Sequence, residues 1–147
     1  LPARMRFSNT VTIKRRPSEV FAFLANFENV PRWNYAISQT RKISAGEVGV
    51  GSRYRQSRTL PTRTEETFEV TAFEPDQRLS IEGAIGPFHG ELTYVLEPVG
   101  DRTALTNTAI LQPSGPVRLF ASLAAPRVRS AVRANLETLK RTLEAGD

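Results

Sequence analysis

The stretch TVTIKRRPSEVFAFLANFENVPRWNY, Thr10–Tyr35, decides the fold. Phe7, Asn9, Val11 and Ile13 alternate with Ser8, Thr10, Thr12 and Lys14. A period of two over this span predicts a half-buried strand. Pro17 suits the first turn of a helix, where its missing N–H costs nothing, and Glu19 adds a favourable charge near that end. Val20, Phe21, Phe23 and Leu24 give that helix its apolar stripe, which Asn26 and Val30-Pro31 break. Pro31-Arg32-Trp33-Asn34, with the only tryptophan, reads as a second short helix or turn.

Downstream, the pattern is β from Ala36 to Leu111. Strands are expected over residues 36–43, 52–60, 63–73, 78–85, 88–97 and 102–111. Gly46, Gly49 and Gly51, then Pro61, Glu74-Pro75-Asp76, Gly86-Pro87 and Pro98-Val99-Gly100-Asp101 punctuate them. Sequential short strands with tight loops point to an antiparallel meander with one solvated face. Gln112-Pro113-Ser114-Gly115-Pro116 then opens a long helix whose stripe is Leu119, Leu123, Val128, Val132, Leu136, Leu139 and Leu143. Pro126 is expected to kink or split it, and residues 117–125 are apolar on nearly every side. The result is an α+β fold of about seven strands on one long helix. A helix roughly 10 Å wide cannot fill the concave side of such a sheet, so a gap is expected between them, near the short N-terminal helices. Gaps of this kind are the usual ligand sites.

Composition narrows the function. A chain of 147 residues is most simply one domain, of a size that buries roughly 70% of its unfolded surface. The domain is expected over residues 5–145, with Met5 as the natural start and residues 1–4 an N-terminal extension or remnant. The absence of cysteine excludes disulfides and thiolate metal sites, and a single histidine excludes a multi-histidine centre. No metal or other cofactor is expected. No apolar run is long enough for a membrane span, and LPARMRFSNT lacks the apolar core of a signal peptide, so cytoplasmic residence is the default. The net charge is +5, yet only three of the twenty basic residues are lysines and the arginines are scattered. That distribution argues against nucleic acid as the partner. Oligomeric state is not legible.

This order of elements resembles the START-like, or SRPBCC, superfamily and within it the bacterial polyketide cyclase/dehydrase-type proteins. The resemblance rests on the alternating first strand, PSEVFAFLANFENVPRW, the FEPDQRL turn, LEPVGDRTALT and the PSGP before the last helix. It covers almost the whole chain and implies a helix-grip fold with an apolar cavity beneath the C-terminal helix. Members bind lipids, sterols, hormones, polyketides and other hydrophobic molecules, and some are cyclases or aromatases. Fold alone does not choose among these.

Strand parity supplies the candidate residues. Asn9 points inward with Phe7 and Val11, where its amide must bond the sheet edge or touch a ligand; the structural role is favoured. Trp33 and Tyr35 border the expected cavity mouth, Trp33 more as a lid than as a stacking platform. Tyr54 turns inward, and Arg58 with it. Arg58 could hold a carboxylate or enolate oxygen, or lie at the rim paired with Glu66, the slightly favoured reading. Phe68, Ile81, Tyr94 and Asn107 face the core on successive strands, and Gly83 is expected to leave space for the cavity. Leu119 and Leu123 would cover it from the helix. His89 points outward unless a bulge at Gly90 turns it in; its pKa suits acid–base work, but a surface position is favoured. No nucleophile triad, paired carboxylates or phosphate loop is present.

Three functions fit. The first is binding of a hydrophobic or aromatic small molecule without a cofactor. The second is a cyclase or dehydrase that shapes a polyketide-like substrate and polarises a carbonyl, with Tyr54, Arg58, Tyr94 and His89 as its only polar participants. The third is a START-like interaction module, which would need a basic or apolar patch outside the cavity.

Overall fold

A computed structural model describes residues 4–113, 115 and 121–146. Strand β1, Met5–Ile13, alternates buried and exposed side chains without a break. Helix α1, Pro17–Ala25, starts on the proline, and Glu19 accepts a hydrogen bond from the Arg16 N–H at 3.4 Å. It buries Val20, Phe21 and Leu24 and ends at Asn26. The second short helix is a 3₁₀ segment, Phe27–Arg32, so it begins before Pro31 and ends at Trp33. Six strands follow: β2 Ile37–Lys42, β3 Arg53–Arg58, β4 Thr64–Glu74, β5 Arg78–Ile85, β6 Phe88–Val99 and β7 Arg102–Pro113. The β6–β7 turn is tighter than expected, since Pro98 and Val99 remain paired with Thr103 and Arg102.

All neighbours are antiparallel, in the order β1-β7-β6-β5-β4-β3-β2. β1 therefore closes against the last strand, and the long meander lies between the two edges. Register shifts at Ile37/Gln39 and Val70/Ala72 interrupt the ladders; irregularities of this kind bend a strand and increase its twist. Helix α2 is described over Ala121–Glu144 and runs unbroken through Pro126, so the proline does not split it. The expected helix start at 114 and 116 and the apolar residues 117–120, Leu119 among them, lie outside the described residues.

The core has two parts. The larger joins α1 and the 3₁₀ segment to the sheet and to Leu136, Leu139 and Leu143 of α2. The smaller gathers Met5, Phe7, Phe88, Ala109 and Leu111 under Val128 and Val132. The C-terminal half of α2 thus sits on the sheet with Leu136 and Leu139 fully buried, while its N-terminal half rests on a smaller cluster. Space opens between them.

Candidate functional site

A cavity of about 550 Å³ lies between α2 and the concave face of the sheet. The helix lines it with Ala124, Arg127, Val128, Ala131, Val132 and Asn135. These positions recur every three or four residues and so share one face. Opposite them stand Trp33, Tyr94, Asn107, Leu92, Phe88 and Leu111. Tyr35, 61% exposed, and Leu60 lie on the solvent side and mark the mouth. A smaller chamber of about 60 Å³ reaches in toward Leu24, Phe27, Phe68, Leu79 and Ile81. Trp33, Arg58, Leu92 and Tyr94 line both spaces. The indole meets the Tyr94 ring edge-on, with centroids 6.3 Å apart.

A buried ion pair stands at the edge of both spaces. Arg58 Nε and Nη2 donate to Glu66 Oε1 and Oε2 at 2.9 and 3.0 Å, and the two side chains are 11% and 3% exposed. Gln56 Nε2 donates to Glu66 Oε2 at 2.6 Å, the Gly86 N–H donates to Oε1 at 3.0 Å, and the Thr40 hydroxyl donates to Gln56 Oε1 at 3.3 Å. Gly86 turns the β5–β6 hairpin at φ +59°, a conformation that favours glycine. Glu66 therefore anchors both the guanidinium and the hairpin turn at the cavity rim.

Apart from Arg58 and Arg127, the polar wall is uncharged. Asn107 is fully buried and Asn135 nearly so. Burial pushes the Tyr94 phenol well above the usual tyrosine range, so its hydroxyl stays protonated and acts as a neutral hydrogen-bonding group. Among the described lining residues there is no carboxylate and no histidine.

The structure distributes the sequence candidates unevenly. Trp33, Tyr35, Arg58, Tyr94 and Asn107 meet around the large cavity, and Phe68 and Ile81 line the small one. Tyr54 points inward but lies outside both walls: its ring stacks on Phe68 at 5.2 Å and packs against Phe27 at 4.8 Å. Burial, with a smaller contribution from the Glu28 charge, raises its pKa. Asn9 is buried beside Asn107, its partner across β1 and β7, and lines neither space. Gly83 does not make room for the cavity. A Cβ there would meet the Thr67 carbonyl oxygen at 2.4 Å, so the glycine permits close approach of β4. His89 is exposed, and the β5–β6 and β6–β7 registers pass Gly90 without a bulge. Gly90 instead lets β7 approach, since its Cβ would meet the Ile110 carbonyl oxygen at 2.4 Å. Leu123 is 75% exposed and turns away from the cavity.

Sequence reasoning missed Asn135, Arg127 and Ala131. The stripe expected on this helix runs through leucines and valines, and it passes over the small and polar residues beside them.

A family profile described as polyketide cyclase / dehydrase and lipid transport matches residues 4–144. The chain belongs to this family. Solved structures agree on the fold. TTHA0849 from Thermus thermophilus is 19% identical, with a TM-score of 0.73, over 96% of this chain and 95% of that one. The Zhui aromatase/cyclase from Streptomyces sp. R1128 is 14% identical, with a TM-score of 0.73, over 98% and 99%. The di-domain aromatase/cyclase BexL of the BE-7585A biosynthetic pathway is 18% identical, with a TM-score of 0.77; the match covers 95% of this family member and 46% of that chain. A comparison with curated protein sequences returns no match. No helix among the described residues is long and apolar enough to cross a membrane, and no group of metal-ligating side chains occurs among them.

Proposed function

We propose that this protein binds a hydrophobic or aromatic small molecule in the cavity between α2 and the sheet. The observation that carries the reading is the cavity itself: about 550 Å³, a ligand-sized volume, with apolar walls and few polar groups. Family membership supports it, since both lipid transport and cyclisation require a bound apolar molecule. Saturable binding of 1-anilinonaphthalene, read by its fluorescence, tests it. A ligand at a hundredfold its Kd should stabilise the protein by about 2.7 kcal/mol in thermal unfolding. Ala131→Phe, which fills the cavity from α2, should abolish the signal while the protein stays folded. Absence of saturable binding, or binding unchanged in Ala131→Phe, would overturn the reading.

A cyclase or dehydrase has less geometry behind it. Tyr94 could polarise a carbonyl as a neutral donor. Arg58 is held by Glu66, Tyr54 sits in the aromatic stack and His89 lies outside. Proton abstraction would need a base that the described cavity walls lack.

A further inference from the structure

One row across the sheet carries more polar groups than an apolar cavity needs. Asn107 of β7 stands opposite Asn9 of β1 on one side and Tyr94 of β6 on the other. All three are buried, and Asn135 brings a fourth buried polar side chain to the cavity from α2. Asn9 Nδ2, both polar atoms of the Asn107 amide and Asn135 Oδ1 are buried without a hydrogen-bond partner. Buried amides left unpaired are costly, and Asn107 and Asn135 line the cavity, so they call for a partner that the protein does not supply.

The chemistry of that partner is constrained. The unpaired atoms include donors and acceptors, and none carries charge. An anion would need a cation beside it. Arg58 is engaged by Glu66, and Arg127 is eight residues before Asn135, about 12 Å nearer the other end of the helix. A carbonyl accepts from an amide N–H, and a hydroxyl both donates and accepts. We propose that Asn107 and Asn135, with Asn9 beside Asn107, form a polar end of the cavity that recognises an uncharged hydroxyl or carbonyl on an otherwise apolar ligand. This rests on the binding reading above and adds an orientation: the ligand enters with its oxygen leading.

A matched pair of probes tests it, 2-naphthol against 2-methylnaphthalene, each displacing 1-anilinonaphthalene. The two differ by a hydroxyl in place of a methyl group. A purely apolar cavity favours the methyl compound, because the hydroxyl is desolvated without return. The amide row should reverse this, with 2-naphthol tighter by about tenfold or more. Asn135→Leu and Asn107→Leu should each remove the preference while 2-methylnaphthalene still binds. The wild-type comparison needs no variant, so a misfolded Asn107→Leu leaves the test intact. Equal or tighter binding of 2-methylnaphthalene to the wild type overturns the inference and leaves the binding reading standing; ordered water is then the partner of the amides. A preference that persists in both leucine variants also overturns it. If 1-anilinonaphthalene itself fails to bind, both readings fall.

Discussion

Around Glu66 every buried polar side-chain atom has a partner, whereas along the Asn9–Asn107 row and at Asn135 four do not. Asn107, Asn135 and Arg58 all border the same cavity. Satisfaction separates architecture from site: a saturated network fixes strands and turns, and an unsaturated one retains its bonding capacity for something that arrives later. Arg58 shows why charge alone misleads. It has the residue type expected to grip a substrate oxygen, yet its guanidinium already has a bidentate partner.

The largest effect should come from breaking the saturated cluster. Glu66→Leu would leave Arg58 as a buried, uncompensated cation and cost about 3–5 kcal/mol. It would also free the Gly86 turn. Pairing it with Arg58→Met should recover most of that loss, because the charge goes with its partner. Urea denaturation of the two single variants and the double variant measures the coupling. If Glu66→Leu is as stable as the wild type, Glu66 does not anchor the rim.

The opposite outcome is expected on the amide row. Asn107→Leu removes two unpaired polar atoms from a fully buried position. Its stability should stay within about 1 kcal/mol of the wild type or exceed it. A large destabilisation in the same urea titration would mean that the amide holds the sheet together, and the contrast with Glu66 would collapse.

The sequence made the architecture legible because strand period, turn residues and the leucine stripe are local signals. Parity also put Tyr94 and Asn107 on the concave side, and the order of elements put Trp33 near the cavity mouth. Tyr54 shows the limit. Inward parity places a side chain on the concave face, but the cavity occupies only part of that face, and α1 with the 3₁₀ segment fills the rest around Phe27. Gly83 and Gly90 show another: a strand glycine reads equally as open space, a bulge or a close backbone approach until the neighbouring strand is placed. Asn135 was hidden because the rotation of α2 over the sheet is a tertiary property, and a lone polar residue beside leucines carries no local mark.

A third polar cluster tests whether saturation or burial dominates, and it should show the smallest effect. At the end of α2, Glu144 Oε2 accepts from Lys140 Nζ and from the Lys14 backbone N–H, each at 2.8 Å, and Lys140 also donates to the Thr12 carbonyl. The cluster ties α2 to the end of β1 much as Glu66 ties β3 to the hairpin, but its charged side chains are 30% and 21% exposed. The Lys140 hydrogen bond, followed by that from the Lys14 N–H, holds the Glu144 carboxyl below its ordinary pKa. A carboxyl depressed in the folded state contributes stability that is fully present above its unfolded pKa and is lost as pH falls through the folded value. Glu144→Gln should therefore cost about 1 kcal/mol or less at neutral pH. That difference should shrink to nothing in acid, and added salt should weaken it at neutral pH. Unfolding curves of both proteins from pH 7 down to pH 3 read the difference directly. A gap that stays constant over this range would assign the loss to packing rather than charge. A gap as large as that of Glu66→Leu would show that saturation, independent of burial, governs what a polar cluster contributes to this fold.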